Sequence, residues 1–224
     1  MTTTTLARTA AAATVTAHDD DTTTFLFTSG TYAGQTLVLD ADGNGTLNGK
    51  PVTMENLGAD GTAAEAAFLT IGDPDSSDES YVAAYAISDT ATLPTSGTAT
   101  YSGSMTGAGI SGANSGYASG DVSVSANFGT GAVSGTFSNL AVTDEGTSYS
   151  IGSDVAFSGT MNTSTASYSA DTITLGGTAA DPASHVAGVF GGDGATATAG
   201  ELYVADDFSN PTKAVYGVYQ ADKD

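Results

Sequence analysis

The chain has 224 residues, enough for one large all-β domain or for one medium and one small domain. Its 25 Asp and Glu against 4 Lys and Arg give a net charge of −21, which excludes a phosphate-tracking nucleic-acid surface and argues against docking on anionic lipid headgroups. It has no cysteine, so disulfides, thiolate metal sites and cysteine nucleophiles are excluded too.

Charged residues make up 13% of the chain, about half the usual share for a globular protein. Polarity comes instead from Thr, Ser, Gly and Asn, which suit strands and turns and are poor helix material. No apolar run reaches the roughly 18 residues of a membrane helix. Residues 1–21 lack the apolar core of a signal peptide and read as a flexible leader.

Residues 22–93 read as a small β-rich unit. Short strands are expected at Thr24–Thr28, at Gln35–Leu39, and at Gly45–Leu47 continuing to Val52–Met54. The Ala-rich window Asp60–Ile71 admits two turns of helix but ends as a strand, Phe68–Ile71. An acidic turn, "GDPDSSDE", then joins it in a hairpin to Tyr81–Ile87. The breaker cluster "TATLPTSG", Thr90 to Gly97, marks the boundary to a second unit, residues 94–224.

That second unit contains runs at Thr98–Thr106, Asp121–Phe128, Ala132–Asn139, Asp154–Asn162, Ser167–Leu175, Ser184–Gly191, Ala199–Val204 and Lys213–Gln220. Every second residue is apolar, and the intervening ones are mostly Ser, Thr, Ala and Asp. On the apolar face a glycine precedes a large residue by two places, as in Gly103/Met105, Gly135/Phe137, Gly159/Met161, Gly188/Phe190 and Gly217/Tyr219. A glycine inside a strand costs about 0.5–1 kcal/mol relative to alanine. A narrow closed barrel explains the cost, because small positions leave room for large side chains from across it. The fold expected is all-β: an eight-stranded antiparallel up-and-down barrel preceded by a small β-rich, handle-like domain. A barrel filled in this way keeps binding to its outer face, its loops (Ala108–Ser119 and Val142–Ile151) and the handle.

The segments Leu93–Gly107, Ala126–Leu140, Phe157–Asn162 and His185–Val204, with the closing "KAVYGVYQADK", resemble the β-barrel domain of transferrin-binding protein B-like surface proteins of Gram-negative bacteria. The pairing of "GVFGG" with "AGELYV" and a final Gly-Val-aromatic strand is the most specific part. The resemblance implies a barrel displayed outside the cell, in a family of binding proteins without catalytic residues that capture iron carriers, haemoglobin, haem or complement regulators. The chain lacks the acylated cysteine of the lipoprotein members, which favours a released protein.

"DADGNG" places Asp40, Asp42 and Asn44 at alternate positions, as in the first half of a calcium loop. The twelfth position holds Pro51 in place of the bidentate Glu, and strands rather than helices flank the segment, so a plain hairpin turn is the competing reading. The acidic runs "GDPDSSDE" and "HDDD" read as solvated loops. The 2 histidines, His18 and His185, cannot make a His-rich zinc site. His185 is the candidate haem ligand, against an ordinary strand-end role; Tyr203, Tyr216 and Tyr219 read as core or sheet-surface aromatics. No Gly-x-Ser-x-Gly elbow supports nucleophilic catalysis.

The expectation is a non-catalytic extracellular binding protein for a protein or small ligand, in the setting of iron or haem acquisition. No cofactor is required; calcium and haem are the candidates. The alternative is a structural, self-assembling cell-surface protein without a dedicated ligand.

Overall fold

The computed structural model describes residues 8–10, 13–18, 20, 22–27, 32–57, 64–72, 80–87 and 92–224. Among these every regular element is a strand, and the strands form two sheets.

The first sheet comprises β1 (Arg8–Ala10), β2 (Ala13–Ala17), β3 (Thr23–Phe27), β4 (Thr36–Leu39), β5 (Asn44–Leu47), β6 (Lys50–Leu57), β7 (Ala64–Ile71) and β8 (Ser80–Ile87). Its spatial order is β1-β8-β7-β6-β5-β4-β3-β2. The two edges are therefore consecutive in sequence: β1 lies parallel to β8, and β2 lies antiparallel to β3. Three Cα steps join Ala10 to Ala13 and span at most about 11 Å. The sheet must curl strongly to bring its edges that close. Residues 8–10 and 13–17 thus belong to the sheet, contrary to the expectation of a leader through residue 21. Each residue of β1 and β2 pairs with a strand at the sheet's edge, which gives its backbone ladder partners that a solvated leader would lack.

Alternation puts Phe25, Phe27, Leu37, Leu39, Leu47, Val52, Leu69 and Ile71 on the concave face, where they form one buried cluster. The expected continuation from Gly45–Leu47 into Val52–Met54 is a hairpin. Asn48 and Gly49 adopt φ of 54° and 78°, the left-handed pair a two-residue turn requires, and Leu47 stands opposite Lys50. The window Asp60–Ile71 holds no helix in its described part: β7 runs from Ala64 and pairs with β8, completing the expected hairpin. Residues 73–79 of its acidic turn lie outside the described residues.

The second sheet comprises β9 (Thr98–Ser111), β10 (Asn114–Asn127), β11 (Ala132–Asp144), β12 (Thr147–Ser150), β13 (Val155–Asn162), β14 (Ser167–Leu175), β15 (Thr178–Ala179), β16 (His185–Gly191), β17 (Ala197–Ala205) and β18 (Lys213–Lys223). Each of the eight long strands pairs antiparallel with its neighbours in sequence, and β18 returns to β9, so the meander closes into a barrel. These are the strands expected from the eight runs. β12 and β15 are short additions paired to β11 and β14.

The interior is filled. Tyr101, Phe137, Phe190 and Tyr219 are at most 0% exposed, and Phe157 and Tyr168 are 4% exposed. Phe137 meets Tyr219 edge-on at 5.1 Å, and Tyr168 meets Phe190 at 5.0 Å. The phenols bond to one another and to the wall. Tyr168 Oη lies 2.6 Å from Tyr219 Oη and 2.9 Å from Thr198 Oγ1, Thr198 donates to Val189 O at 2.8 Å, and Tyr101 donates to Ala195 O at 2.9 Å.

The strand glycines are of two kinds. A Cβ on Gly135 would overlap the Phe157 ring, and one on Gly188 would overlap the Tyr219 and Tyr168 hydroxyls; these make room for rings, as expected. On Gly103, Gly159 and Gly217 it would overlap the backbone of the paired strand. There the missing side chain lets two main chains approach closely, which is a different cause from the one the pattern suggested.

The stretches expected as functional loops, Ala108–Ser119 and Val142–Ile151, are mostly strand. β9 and β10 run on to a turn at Gly112, and β11 turns at Glu145–Gly146 into β12. Apolar side chains cause the extension: Ala118, Leu140, Val142 and Ile151 are buried in the barrel cluster.

Candidate functional site

Because the barrel middle holds its own side chains, the candidate site is built from outer surfaces. The strands β7, β17 and β18 explain where the two sheets meet. Inward residues of β18 are Val215, Gly217, Tyr219 and Ala221, yet the outward Ala214, Tyr216 and Val218 are buried as well. Ala199 and Ala205 face outward from β17 and are also buried. The first sheet covers this wall. Phe68, on the convex face of β7, meets the Tyr216 ring edge-on at 5.8 Å, and Tyr216 in turn meets Tyr203 at 5.7 Å. Tyr203 stacks on Phe208 at 4.2 Å. Tyr219 is core and Tyr203 and Tyr216 are wall aromatics, in agreement with the sequence reading.

At one end of this seam the covering is incomplete. Thr53, Met54, Phe68 and Thr70 of the first sheet and Tyr117 of β10 line a cleft of about 340 Å³. Phe68 forms a buried floor and Tyr117, 39% exposed, a wall. The Tyr117 hydroxyl is hydrogen-bonded to Thr106 Oγ1, which holds the ring against the barrel. Tyr117 lies within Ala108–Ser119, a stretch expected to carry binding, whereas Thr53, Met54, Phe68 and Thr70 were not expected as site residues. The signal was available for part of them: "AAFLTI" and "AVYGVY" are apolar without alternation, the mark of strands buried on both faces.

Asp40, Asp42 and Asn44 lie together in the turn between β4 and β5. Asp40 Oδ1 accepts from the amides of Asp42 at 3.0 Å and Asn44 at 2.8 Å, and Asn44 Nδ2 points toward Asp42 O at 3.4 Å. These bonds are those of an Asx-type hairpin turn. Among the described residues no three His, Asp or Glu side chains gather at one point. His185 opens β16 on the outer wall, opposite Tyr203, with Nε2 3.5 Å from Glu201 Oε1. His18 Nε2 lies 2.9 Å from Thr24 Oγ1; Asp19 and Asp21 of "HDDD" lie outside the described residues.

Among the described residues the acidities of Tyr101, Asp206 and Asp20 are shifted. Burial pushes the Tyr101 phenol well above its ordinary range, reinforced by Tyr168, so it stays a neutral donor. At Asp206 burial raises the pKa, but the Thr212 hydroxyl and the amides of Lys213, Thr212 and Asp207 outweigh it and lower the net value. The Thr22 hydroxyl, and then the Thr22 amide, lower that of Asp20 by donating to its carboxylate. Asp206 and Asp181 clamp the β17–β18 connection, Asp181 Oδ2 accepting from Phe208 N at 3.1 Å.

These features define a class: a closed meander barrel with a curled sheet seated on one outer wall. The solved structures similar to this chain include these two. One is intact Ap-TbpB, with N and C lobes, at a TM-score of 0.57 and 14% identity, covering 85% of this chain and 40% of that one. The other is a single-residue mutant of transferrin-binding protein B, a vaccine antigen from Haemophilus parasuis Hp5, at a TM-score of 0.56 and 15% identity, covering 85% and 39%. The chain thus spans about two fifths of those proteins' length, and the likeness is one of fold. No family model matches the chain, and no curated protein does. Among the described residues no helix is long and apolar enough to cross a membrane.

Proposed function

We propose that the chain is a non-catalytic binding protein of the transferrin-binding protein B-like type, carried outside a Gram-negative cell or released from it, which captures a protein or small ligand in iron or haem acquisition. The observation that carries this reading is the filled barrel beside an open seam. An interior closed by Tyr101, Phe137, Phe190 and Tyr219 leaves no chamber for a substrate, whereas the seam exposes aromatic surface to a partner. The resemblance in fold to transferrin-binding protein B supports the same class. The barrel is a rigid base and recognition belongs to its outside.

The experiment is retention of iron-loaded transferrin, haemoglobin and haemin on beads carrying the chain. Saturable, stoichiometric binding of one of them supports the reading. Equal, non-saturating retention of all three that vanishes in high salt, with ligand-free assembly into large particles by sedimentation, overturns it in favour of a structural surface protein.

A further inference from the structure

Among the described residues three large hydrophobic side chains are exposed: Leu26 at 44%, Val38 at 53% and Tyr117 at 39%. They are related in space. Leu26 and Val38 stand on the convex face of the first sheet, turned away from its core, and Phe68 uses that same face to meet the barrel. Tyr117 borders that face from the barrel side, across the seam cleft. The strand register links the two ends. Thr70 stands opposite Thr53 and Thr53 opposite Asn44, whose carbonyl accepts from Asp40 N at 2.8 Å. Val38, two residues before Asp40, stands opposite Thr24, beside Leu26.

The same strip is bordered by acids. Met54, which lines the cleft, donates its amide to Gly43 O at 2.8 Å, which sets the Asp40–Asp42 turn directly beside it. On the barrel side Tyr117 stands opposite Thr143, which precedes Asp144 and Glu145 at the β11–β12 turn. One cation, Lys50, begins β6 at its other end. The chain as a whole has 25 acidic groups to 4 basic ones. A second copy of the chain would bring −21 against −21 and be repelled.

We propose that this face is a docking surface for a basic protein segment that inserts one apolar or aromatic side chain into the cleft between Thr53, Phe68 and Tyr117. It rests on the binding reading above and specifies the chemistry of the partner. Apolar walls take the anchoring side chain, and the acidic turns on both sides select flanking lysines or arginines.

The chain has no tryptophan, so a tryptophan probe reports alone. The test titrates the whole chain with the amidated tripeptide Lys-Trp-Lys, and with Glu-Trp-Glu, following the indole emission. A saturable blue shift is expected with the basic peptide only, weakened as salt approaches about 1 M, where the screening length falls to about 3 Å. Thr53→Arg should weaken it by about tenfold or more, since it fills the cleft and reverses its rim charge. Tyr117→Arg provides a second variant, each being checked by thermal melting. Ala156→Arg, on the opposite barrel wall, should leave the titration unchanged. Absence of a shift up to about 1 mM peptide, equal affinity in all variants, or equal binding of Glu-Trp-Glu overturns the proposal. The outcomes separate it from the functional reading. Failure of transferrin, haemoglobin and haemin alongside Thr53-dependent peptide binding removes that reading and keeps the surface. Saturable capture that Thr53→Arg does not alter keeps the reading and removes the surface.

Discussion

The two outer walls of the barrel are made from the same kind of strand and have opposite chemistry. Across β9, β10, β11, β13 and β14 the register aligns Thr100, Ser125, Ser134, Ser158 and Thr172 in one exposed row. Across β17 and β18 the outward positions hold Ala199, Tyr216 and Val218, all buried. The difference is not in the barrel, whose interior is equally filled behind both walls. It follows from what lies outside: water against the first, the curled sheet with Phe68 against the second. A strand facing water on one side alternates, and a strand covered on both sides does not.

The strongest way to break the contrast is Tyr216→Ala. It removes a ring that is 1% exposed and touches both Phe68 and Tyr203. A loss of about 3 kcal/mol is expected in urea unfolding, with faster proteolysis of the first sheet as the seam loosens. Unchanged stability would mean that the sheet is not held by this wall.

A smaller effect concerns the hairpin that carries the covered wall. The folded pKa of Asp206 lies below the ordinary 3.8, so its bonds to Thr212, Lys213 and Asp207 stabilise the fold above that value. The contribution is lost as pH falls through the lowered folded value. Between about pH 5 and pH 2 the parent should therefore lose more stability than Asp206→Asn, which lacks this titration; parallel unfolding curves would contradict it.

The smallest effect belongs to the bare wall. Ser134→Ala, exposed and flanked by Ser125 and Ser158, should shift the urea midpoint by no more than about 0.5 kcal/mol equivalent. A larger loss would show that the hydroxyl row is structural.

The barrel is legible because period-two alternation survives in the strands that face water, and because Gly-x-large spacing recurs where the wall is narrow. Side-chain period and turn residues are local properties. In the first sheet β3, β4 and the hairpin of Phe68–Ile71 with Tyr81–Ile87 are legible from strand formers between turn residues, whereas the Ala-rich start of β7, which also admits helix, and the left-handed Asn48–Gly49 turn are not. The strands at residues 8–10 and 13–17 are not legible in sequence, because an Ala/Thr segment has no pattern of its own. Its pairing with β8 and β3 depends on partners far along the chain. The seam cleft as such is not legible in sequence, although Tyr117 falls in the expected stretch Ala108–Ser119, since Thr53, Phe68 and Tyr117 belong to three strands on two sheets.

Composition and periodicity by themselves determined an acidic all-β chain whose second part is a filled barrel. They did so because burial on one face of a strand must be written at every second residue. Only the tertiary structure decided which barrel wall is covered, which glycines admit a ring and which admit a backbone, and where aromatic surface stays open. Those outcomes depend on contacts between residues distant in sequence, whose meeting is settled by how the two curved sheets fit together.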